Sequence, residues 1–262
     1  WGVIFTEQTE MHHTSEITPF IELRLWEDQD IPAIAKMAAA MKTHGALAGI
    51  QLAYSGINGP NMYTKEVPLA PSALPIRTFT NDPVQARAMD KNDIRNLRRW
   101  FVNAAKRSTL AGFDLICLYG AHGFGIFQHF LSRATNQRGD EYGGSLENRS
   151  RFAREVIADM RDAVGDTMAL TLRVSLDETI GDLGFSNAEV RDFIAMNAEL
   201  PDLWDLAMGT WEDCSGPSRF KEEAAQEAWV AGIRELSPRP VVGVGRFTSP
   251  DVMARMIKSG TL

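Results

Sequence analysis

The chain has 262 residues, with 27 Lys and Arg against 34 Asp and Glu, which gives a formal net charge of −7. This acidic balance argues against a general nucleic-acid binder and against a polybasic membrane-surface protein. A hydrophobic fraction of 44% and a charged fraction of 23% are ordinary globular values and exclude the disordered and fibrous classes. No apolar run approaches the ~20 residues of a membrane helix, so we expect neither nucleic acid nor membrane among the partners.

The two cysteines, Cys117 and Cys214, cannot make a disulfide framework or a four-cysteine metal site by themselves. His12 and His13 are adjacent, but no acidic residue or cysteine completes a recognisable ligand spacing, so we expect loop histidines and no metal site. No signal peptide is visible, and the composition suits a reducing, cytoplasmic compartment.

Apolar, β-rich runs alternate with helical patterns along the whole chain. The runs that predict strands are residues 2–6, 46–52, 113–118, 168–174, 203–208 and 240–244. Helical periodicity covers residues 30–44, 93–111 and 146–164, the segment after the capping box at 186–189, and the segment that begins at Ser249-Pro250. Residues 54–92 and 120–148 lack this periodicity and are expected to be long loops.

This alternation predicts an α/β fold with a parallel sheet covered by helices. No Gly-x-Gly-x-x-Gly follows a strand, which weakens a dinucleotide-binding Rossmann interpretation. Polar clusters stand directly after the strands, where barrel enzymes place their chemistry. We therefore predict a (β/α)₈ TIM barrel that is missing its first and last strands, with an open sheet as the alternative.

Candidate site residues stand at the strand ends. Tyr119 and His122 could bind or deprotonate a small substrate at a barrel mouth, or be a structural Tyr and a surface His. Arg173 closes an apolar strand and needs either an anionic or electron-rich ligand or a salt bridge. Gln51 could hydrogen-bond a heterocycle through both ends of its amide, or cap a loop.

Two further groups follow the later strands. Trp211 stands beside carboxylates and could form one wall of a cation-binding cage, or pack on the barrel rim. Gly245 allows close backbone approach to a phosphate, and Arg246 adds positive charge there.

The run NQRGDEYGGSLENRSRF at residues 136–152 resembles the long signature of the Old Yellow Enzyme family, also called the NADH:flavin oxidoreductase/NADH oxidase family. Shorter runs resemble its trimethylamine, dimethylamine and histamine dehydrogenase branch: 42–49, 59–62, 119–122, 216–220 and 243–246. The resemblance covers nearly the whole chain and implies that residues 1–262 are part of an FMN-binding TIM-barrel domain. The first and last strands of that barrel would lie outside the chain.

The resemblance also assigns roles around the flavin. Arg173 matches an Arg beside the flavin N1/C2 carbonyl, where a cation stabilises the reduced flavin. Gln51 matches the position that pairs with the pyrimidine edge, and Gly245 and Arg246 fall beside the FMN phosphate.

The substrate side of the site departs from the branch in two places. In the branch, Tyr, His and an Asp form a linked triad, which here implies Tyr119 and His122. An ungapped match puts Cys214 at the third position, and a slip of one residue restores Asp213, which we take as the carboxylate. Where the branch has a Tyr that encloses a methylated ammonium, this chain has Gln8, while Trp211 keeps a cage-like position.

The resemblance implies an FMN-dependent oxidoreductase that demethylates a methylated amine by hydride transfer to flavin N5. The alternative is an NAD(P)H-dependent ene or 2,4-dienoyl reductase on the same barrel, and a third interpretation is a flavin-binding domain without turnover. The expected partners are a small-molecule amine, an electron acceptor (a flavoprotein or a nicotinamide) and a second copy in a homo-oligomer. A 4Fe-4S cluster is compatible with a longer protein, but its ligands are not in this chain.

Overall fold

The computed structural model describes residues 2–16, 22–76, 84–210 and 220–262. Its main sheet has seven parallel strands: β1 (Val3–Glu10), β2 (Leu23–Arg24), β3 (Leu47–Ala53), β6 (Leu115–Gly120), β7 (Ala169–Ser175), β8 (Leu203–Ala207) and β9 (Val241–Gly243). They lie in the order β2-β1-β3-β6-β7-β8-β9. A separate two-stranded sheet joins β4 (Leu69–Ala70) to β5 (Arg87–Ala88).

Helices connect and cover these strands: α1 (Ile31–Lys42), α2 (Lys91–Leu110), α3 (Ile126–Leu131), α4 (Leu146–Val164), α5 (Asn187–Met196), α6 (Glu227–Val230) and α7 (Pro250–Lys258). Side-chain oxygens of Asp90, Ser145, Ser186 and Ser249 accept backbone N–H groups at the N-termini of α2, α4, α5 and α7. These caps satisfy donors that a helix cannot satisfy internally. In the described part of the chain, no helix is long and apolar enough to cross a membrane.

The long strands are added to the sheet in one direction only. From β1 to β9, each long strand pairs with the one before it in the chain, without the reversal of order that defines an open doubly wound sheet. A sheet that grows in this way, with a helix after most of its strands, is that of a (β/α)₈ barrel, so the predicted fold class is confirmed and the open-sheet alternative is not.

The two faces of the sheet differ in chemistry. Side chains on the outer face pack with the helices into the main core; they include Ile50, Leu52, Ile116, Leu118, Leu170, Leu172, Val174, Trp204 and Leu206. The alternate positions face inward, and many are polar: Gln8, Glu10, Gln51, Tyr119, Thr171, Arg173, Ser175 and Asp205. Because alternate residues of a strand face opposite sides, the apolar run and the polar site come from the same strands.

Two sequence predictions need correction. The first strand extends to Glu10 rather than ending at Thr6, and its pairing shifts between Phe5 and Gln8, so Gln8 lies in the strand. The predicted loop 120–148 contains α3, a short helix whose six residues are all buried. Its two polar residues, Gln128 and His129, are buried together with the apolar ones, so the helix has no polar face and its period is not visible in the sequence.

The signature at residues 136–152 braces the scaffold. The Asn136 side chain donates to two backbone carbonyls at 2.6 and 2.7 Å. Arg149 is 3% exposed and donates to the Leu131 carbonyl and to Glu189, which ties α3 to α4 and α5. Buried polar groups of this kind must be paired to be tolerated. The segment that carries the family resemblance thus fixes the positions of these helices.

Candidate active site

The inner face brings Tyr119, Arg173 and Asp205 into one row. Tyr119 is the register partner of Arg173 across β6 and β7, and Arg173 is the partner of Asp205 across β7 and β8. The Arg173 guanidinium carbon lies 5.8 Å from the centre of the Tyr119 ring, within the range of a cation–π contact. This row lies near the carboxyl ends of the strands, where barrel enzymes hold their reacting groups.

Tyr119 and His122 form a buried hydrogen-bonded pair. The Tyr119 hydroxyl lies 2.9 Å from His122 Nδ1, and the two residues are only 6% and 7% exposed. Burial, and then the positive charge of Arg173, lower the pKa of His122 from 6.5 to about 4. The imidazole is therefore neutral at pH 7 and can accept or donate one hydrogen bond at each nitrogen.

The backbone at His122 is held in a conformation that few side chains adopt. Its φ is +60°, in the left-handed region. The His122 N–H donates to Ser175 Oγ at 2.8 Å, and that hydroxyl donates to the Gly209 carbonyl at 3.3 Å. Ser175 thereby links the loop after β6 to the residues that follow β8.

The charge of Arg173 is only partly compensated. Its Nε lies 3.4 Å from Asp205 Oδ2, and the guanidinium makes no hydrogen bond within the described residues. Burial acts to lower the pKa of Arg173, but the Asp205 carboxylate raises it, and the net effect is upward. Burial raises the pKa of Asp205, while Arg173 opposes that rise.

Gln8 and Gln51 are register partners in the row below. Ser55 Oγ donates to the Ser15 carbonyl at 2.7 Å, so it accepts from Gln8 Nε2, 3.1 Å away. This fixes the orientation of the Gln8 amide and leaves its Oε1 as an acceptor for another group. The Gln51 amide is 8% exposed and has no hydrogen-bond partner in the described part of the chain.

Gly245 and Arg246 follow β9. Gly245 has a φ of +135°, and a Cβ placed there would lie 3.1 Å from the Gln226 side chain, so this position needs glycine. Arg246 is exposed and donates through Nη1 to the Lys221 carbonyl at 2.9 Å. Its remaining donors can serve an anion such as a phosphate.

Trp211, Asp213 and Cys214 lie outside the described residues, so the cage wall and the carboxylate of the triad remain predictions.

The remaining cysteine and the histidine pair take no part in this row. Cys117 is buried and free, and burial raises its pKa to about 12, which keeps it a neutral thiol. His12 stacks on Trp100 with ring centres 3.5 Å apart. Across the described ranges, no group of three His, Cys, Asp or Glu residues could hold a metal ion.

The polar inner face fits an FMN ring system. An isoalloxazine presents several carbonyl and nitrogen acceptors and one N–H donor along its pyrimidine edge. The Arg173 guanidinium supplies donors that are not used by the described residues, and the Gln51 amide supplies a donor and an acceptor. Arg173 Nε and Asp205 Oδ1 are buried and have no hydrogen-bond partner among the described residues. Buried polar atoms are normally hydrogen-bonded, so these two favour a polar ligand at this face.

The sequence did not single out Ser175 or Asp205 as members of the site. Ser175 lies two residues after Arg173 on the same strand, and Asp205 lies opposite Arg173 on the next strand. The pairing of the strands, which the sequence does not state, brings Asp205 to this face. Glu178 was also missed: it is 5% exposed and accepts from Gln128 Nε2 at 3.1 Å, while Gln128 Oε1 accepts from the Gly123 N–H. An acidic residue just after a strand end was the signal that could have found it.

Comparisons with known proteins show the family to which the chain belongs. The sequence profile of the NADH:flavin oxidoreductase / NADH oxidase family matches residues 1–261. Dimethylamine dehydrogenase from Hyphomicrobium sp. (strain x) is 34% identical over 278 residues, covering 100% of this chain and 36% of that protein. NADPH dehydrogenase from Clostridium acetobutylicum is 35% identical over 208 residues, covering 79% and 59%. The solved structure of histamine dehydrogenase from Rhizobium sp. 4-9 is 85% identical with a TM-score of 0.97, covering 100% of this chain and 38% of that one.

The barrel and its flavin-compatible inner face define the class as FMN-dependent oxidoreductases. The chain belongs to the NADH:flavin oxidoreductase / NADH oxidase family, and its relatives include amine dehydrogenases. It spans 36% of the dimethylamine enzyme and 38% of the histamine enzyme. The family resemblance and the FMN prediction are therefore confirmed, while the roles of the individual site residues remain predictions.

Proposed function

We propose that the protein oxidises a primary amine that carries a heteroaromatic ring, of the histamine type, with FMN as the electron acceptor. The observation that carries this proposal is the buried, hydrogen-bonded pair of Tyr119 and His122 beside Arg173. The 85% identity with histamine dehydrogenase over the whole chain supports the substrate class. This differs from the methylated amine that the family branch first suggested.

The reaction balances as a two-electron oxidation. The carbon that bears the amine loses a hydride equivalent, for which bound FMN would supply the acceptor. Water then hydrolyses the resulting iminium to an aldehyde and ammonia. Before the hydride is transferred, the substrate must lose its ammonium proton, because only the neutral nitrogen has a lone pair that can stabilise the iminium.

The pair of Tyr119 and His122 suits that proton transfer. A neutral imidazole does not repel a cationic substrate, whereas a protonated one would. Its nitrogen can take part in moving the proton, and the 2.9 Å contact with Tyr119 provides a path to the phenol oxygen. The positive charge of Arg173 would stabilise the negative charge of the reduced flavin.

Gln8 supports a substrate with N–H groups. Its Oε1 can accept a hydrogen bond, and its Nε2 is already used by Ser55. A methylated ammonium has fewer N–H groups to offer and gains more from an aromatic wall. A primary ammonium or an imidazole N–H gains from an amide oxygen.

Two other functions remain as candidates. Demethylation of a methylated amine is supported by the likeness to dimethylamine dehydrogenase over the whole chain. Reduction of a polarised C=C bond with a nicotinamide is supported by the likeness to NADPH dehydrogenase, which extends over 79% of the chain. For the amine oxidation, we propose a flavoprotein as the external electron acceptor.

Product analysis tests the proposal. The complete FMN-loaded protein is incubated with histamine and a one-electron dye, and ammonia and aldehyde are measured against dye reduced. We expect one ammonia and one aldehyde for every two electrons. Dimethylamine serves as the parallel substrate, because its oxidation releases formaldehyde and methylamine instead. Formaldehyde from dimethylamine, with no product from histamine, would favour demethylation.

A further inference from the structure

Arg173 has a charged neighbour on the strand opposite Tyr119. Asp205 Oδ2 lies 3.4 Å from the Nε of Arg173, and the two side chains are 21% and 24% exposed. Asp205 Oδ1 is buried and has no hydrogen-bond partner in the described part of the chain. The carboxylate therefore stands beside the guanidinium without the paired hydrogen bonds of a locked salt bridge.

The contact with Asp205 involves only one edge of the Arg173 guanidinium. Asp205 faces the Nε atom, while Tyr119 lies on the other side of Arg173 in the same row. The two terminal nitrogens make no hydrogen bond with described residues and remain available to a ligand. The carboxylate is thus the ion-pair partner of Arg173 among the described residues, and it lies at the Nε edge of the guanidinium.

We propose that Asp205 is a positioning residue that acts through Arg173: it directs the terminal nitrogens toward the bound flavin and lowers the flavin's reduction potential. The inference rests on the proposed function in one respect, that FMN lies beside Arg173. An unopposed guanidinium would stabilise the extra negative charge of reduced FMN most strongly. Asp205 offsets part of that charge, so the reduced flavin is more readily reoxidised.

A purely structural role is the competing explanation. Removal of one partner of a buried ion pair destabilises a fold whether or not a cofactor is near. Asp202, which directly precedes β8, provides a matched control for this effect. It pairs with Arg161 of α4 and accepts the Leu170 N–H at 2.8 Å, and it contacts neither Arg173 nor Tyr119.

The test is the midpoint potential of FMN in the complete protein, measured by equilibration with a reference dye in the absence of amine. In Asp205→Asn we expect the ratio of reduced to oxidised flavin at a fixed potential to rise about tenfold, or ~30 mV for a two-electron couple. Asp202→Asn should leave the potential unchanged. An unchanged potential in Asp205→Asn, or an equal shift in Asp202→Asn, would overturn the proposal.

Two more variants keep the test decisive if Asp205→Asn folds poorly. Asp205→Glu retains the charge and should stay within about twofold of the wild-type ratio of reduced to oxidised flavin. Asp205→Asn should shift the potential less in an Arg173→Gln background than in the wild type, because Asp205 acts through the guanidinium. A shift of the same size in both backgrounds would contradict the proposal.

The outcomes also separate this inference from the proposed function. The dye titration needs no amine, so it can succeed even if the substrate is not an amine. A wild-type protein that amines fail to reduce would refute the proposed function, but would leave the effect of Asp205 on the potential intact.

Discussion

The Tyr119 hydroxyl and His122 Nδ1 lie 2.9 Å apart in a buried part of the barrel mouth, which couples a phenol to an imidazole that is neutral at pH 7. The three-residue spacing alone does not require this contact. It depends on the left-handed backbone at His122, which turns the imidazole back toward the strand that carries Tyr119.

The first prediction concerns this contact. In Tyr119→Phe the imidazole loses its hydrogen bond to the phenol, and we expect the rate of amine-dependent flavin reduction to fall by at least ~10²-fold. Stopped-flow absorbance of the flavin band measures this rate. Tyr142→Phe is the matched control, because that hydroxyl donates to Glu155 at 2.7 Å in the scaffold. Equal rates in Tyr119→Phe and the wild type would remove the pair from the chemistry.

The second prediction concerns stability against pH. The pKa of His122 is lowered from 6.5 to about 4, so between these values the folded protein binds fewer protons than the unfolded chain. The free energy of unfolding must therefore fall as the pH falls through this window, by at most about 3 kcal/mol from this residue. The pKa of His12, lowered to about 3 by burial and then by His13, acts in the same direction.

Urea unfolding at pH 7.5 and pH 5 measures the effect. In His122→Asn the loss of stability between the two pH values should be smaller than in the wild type. The same loss in both proteins would show that the imidazole does not resist protonation in the fold.

The third prediction concerns Ser175, which accepts the His122 N–H and donates to the Gly209 carbonyl. Ser175→Ala should slow amine-dependent flavin reduction about tenfold, with a loss of stability of only about 1 kcal/mol. The control is Ser108→Ala, which removes a buried hydroxyl that donates to the Ala104 carbonyl within α2. If both variants lose stability and neither loses rate, Ser175 is only a structural residue.

The fold was predictable because its strands are long apolar runs and its helices carry their caps in the sequence. The site was predictable only in part. Tyr119 and Arg173 each follow from a strand end, but their adjacency depends on the pairing of β6 with β7, which no local pattern states. Gln8 was assigned through the resemblance, and its place in the strand depends on an irregular register that the sequence does not mark.

The fourth prediction concerns substrate choice. Gln8→Tyr replaces an amide acceptor by an aromatic wall, so the ratio of kcat/KM for histamine to that for dimethylamine should fall at least tenfold. The two substrates are compared on the same preparation, so the ratio is insensitive to differences in folding or flavin content. A ratio unchanged from the wild type would show that Gln8 does not contact the substrate.

The central claim is that an amine, rather than a nicotinamide, delivers electrons to the flavin at this site. The most direct measurement is an anaerobic titration of the complete FMN-loaded protein, in which the visible flavin band is followed during additions of histamine and, separately, of NADH and NADPH. We predict that histamine bleaches the band at near-stoichiometric amounts and that the nicotinamides do not. Rapid bleaching by a nicotinamide, with none by histamine or other amines, would contradict the account and favour the reductase alternative.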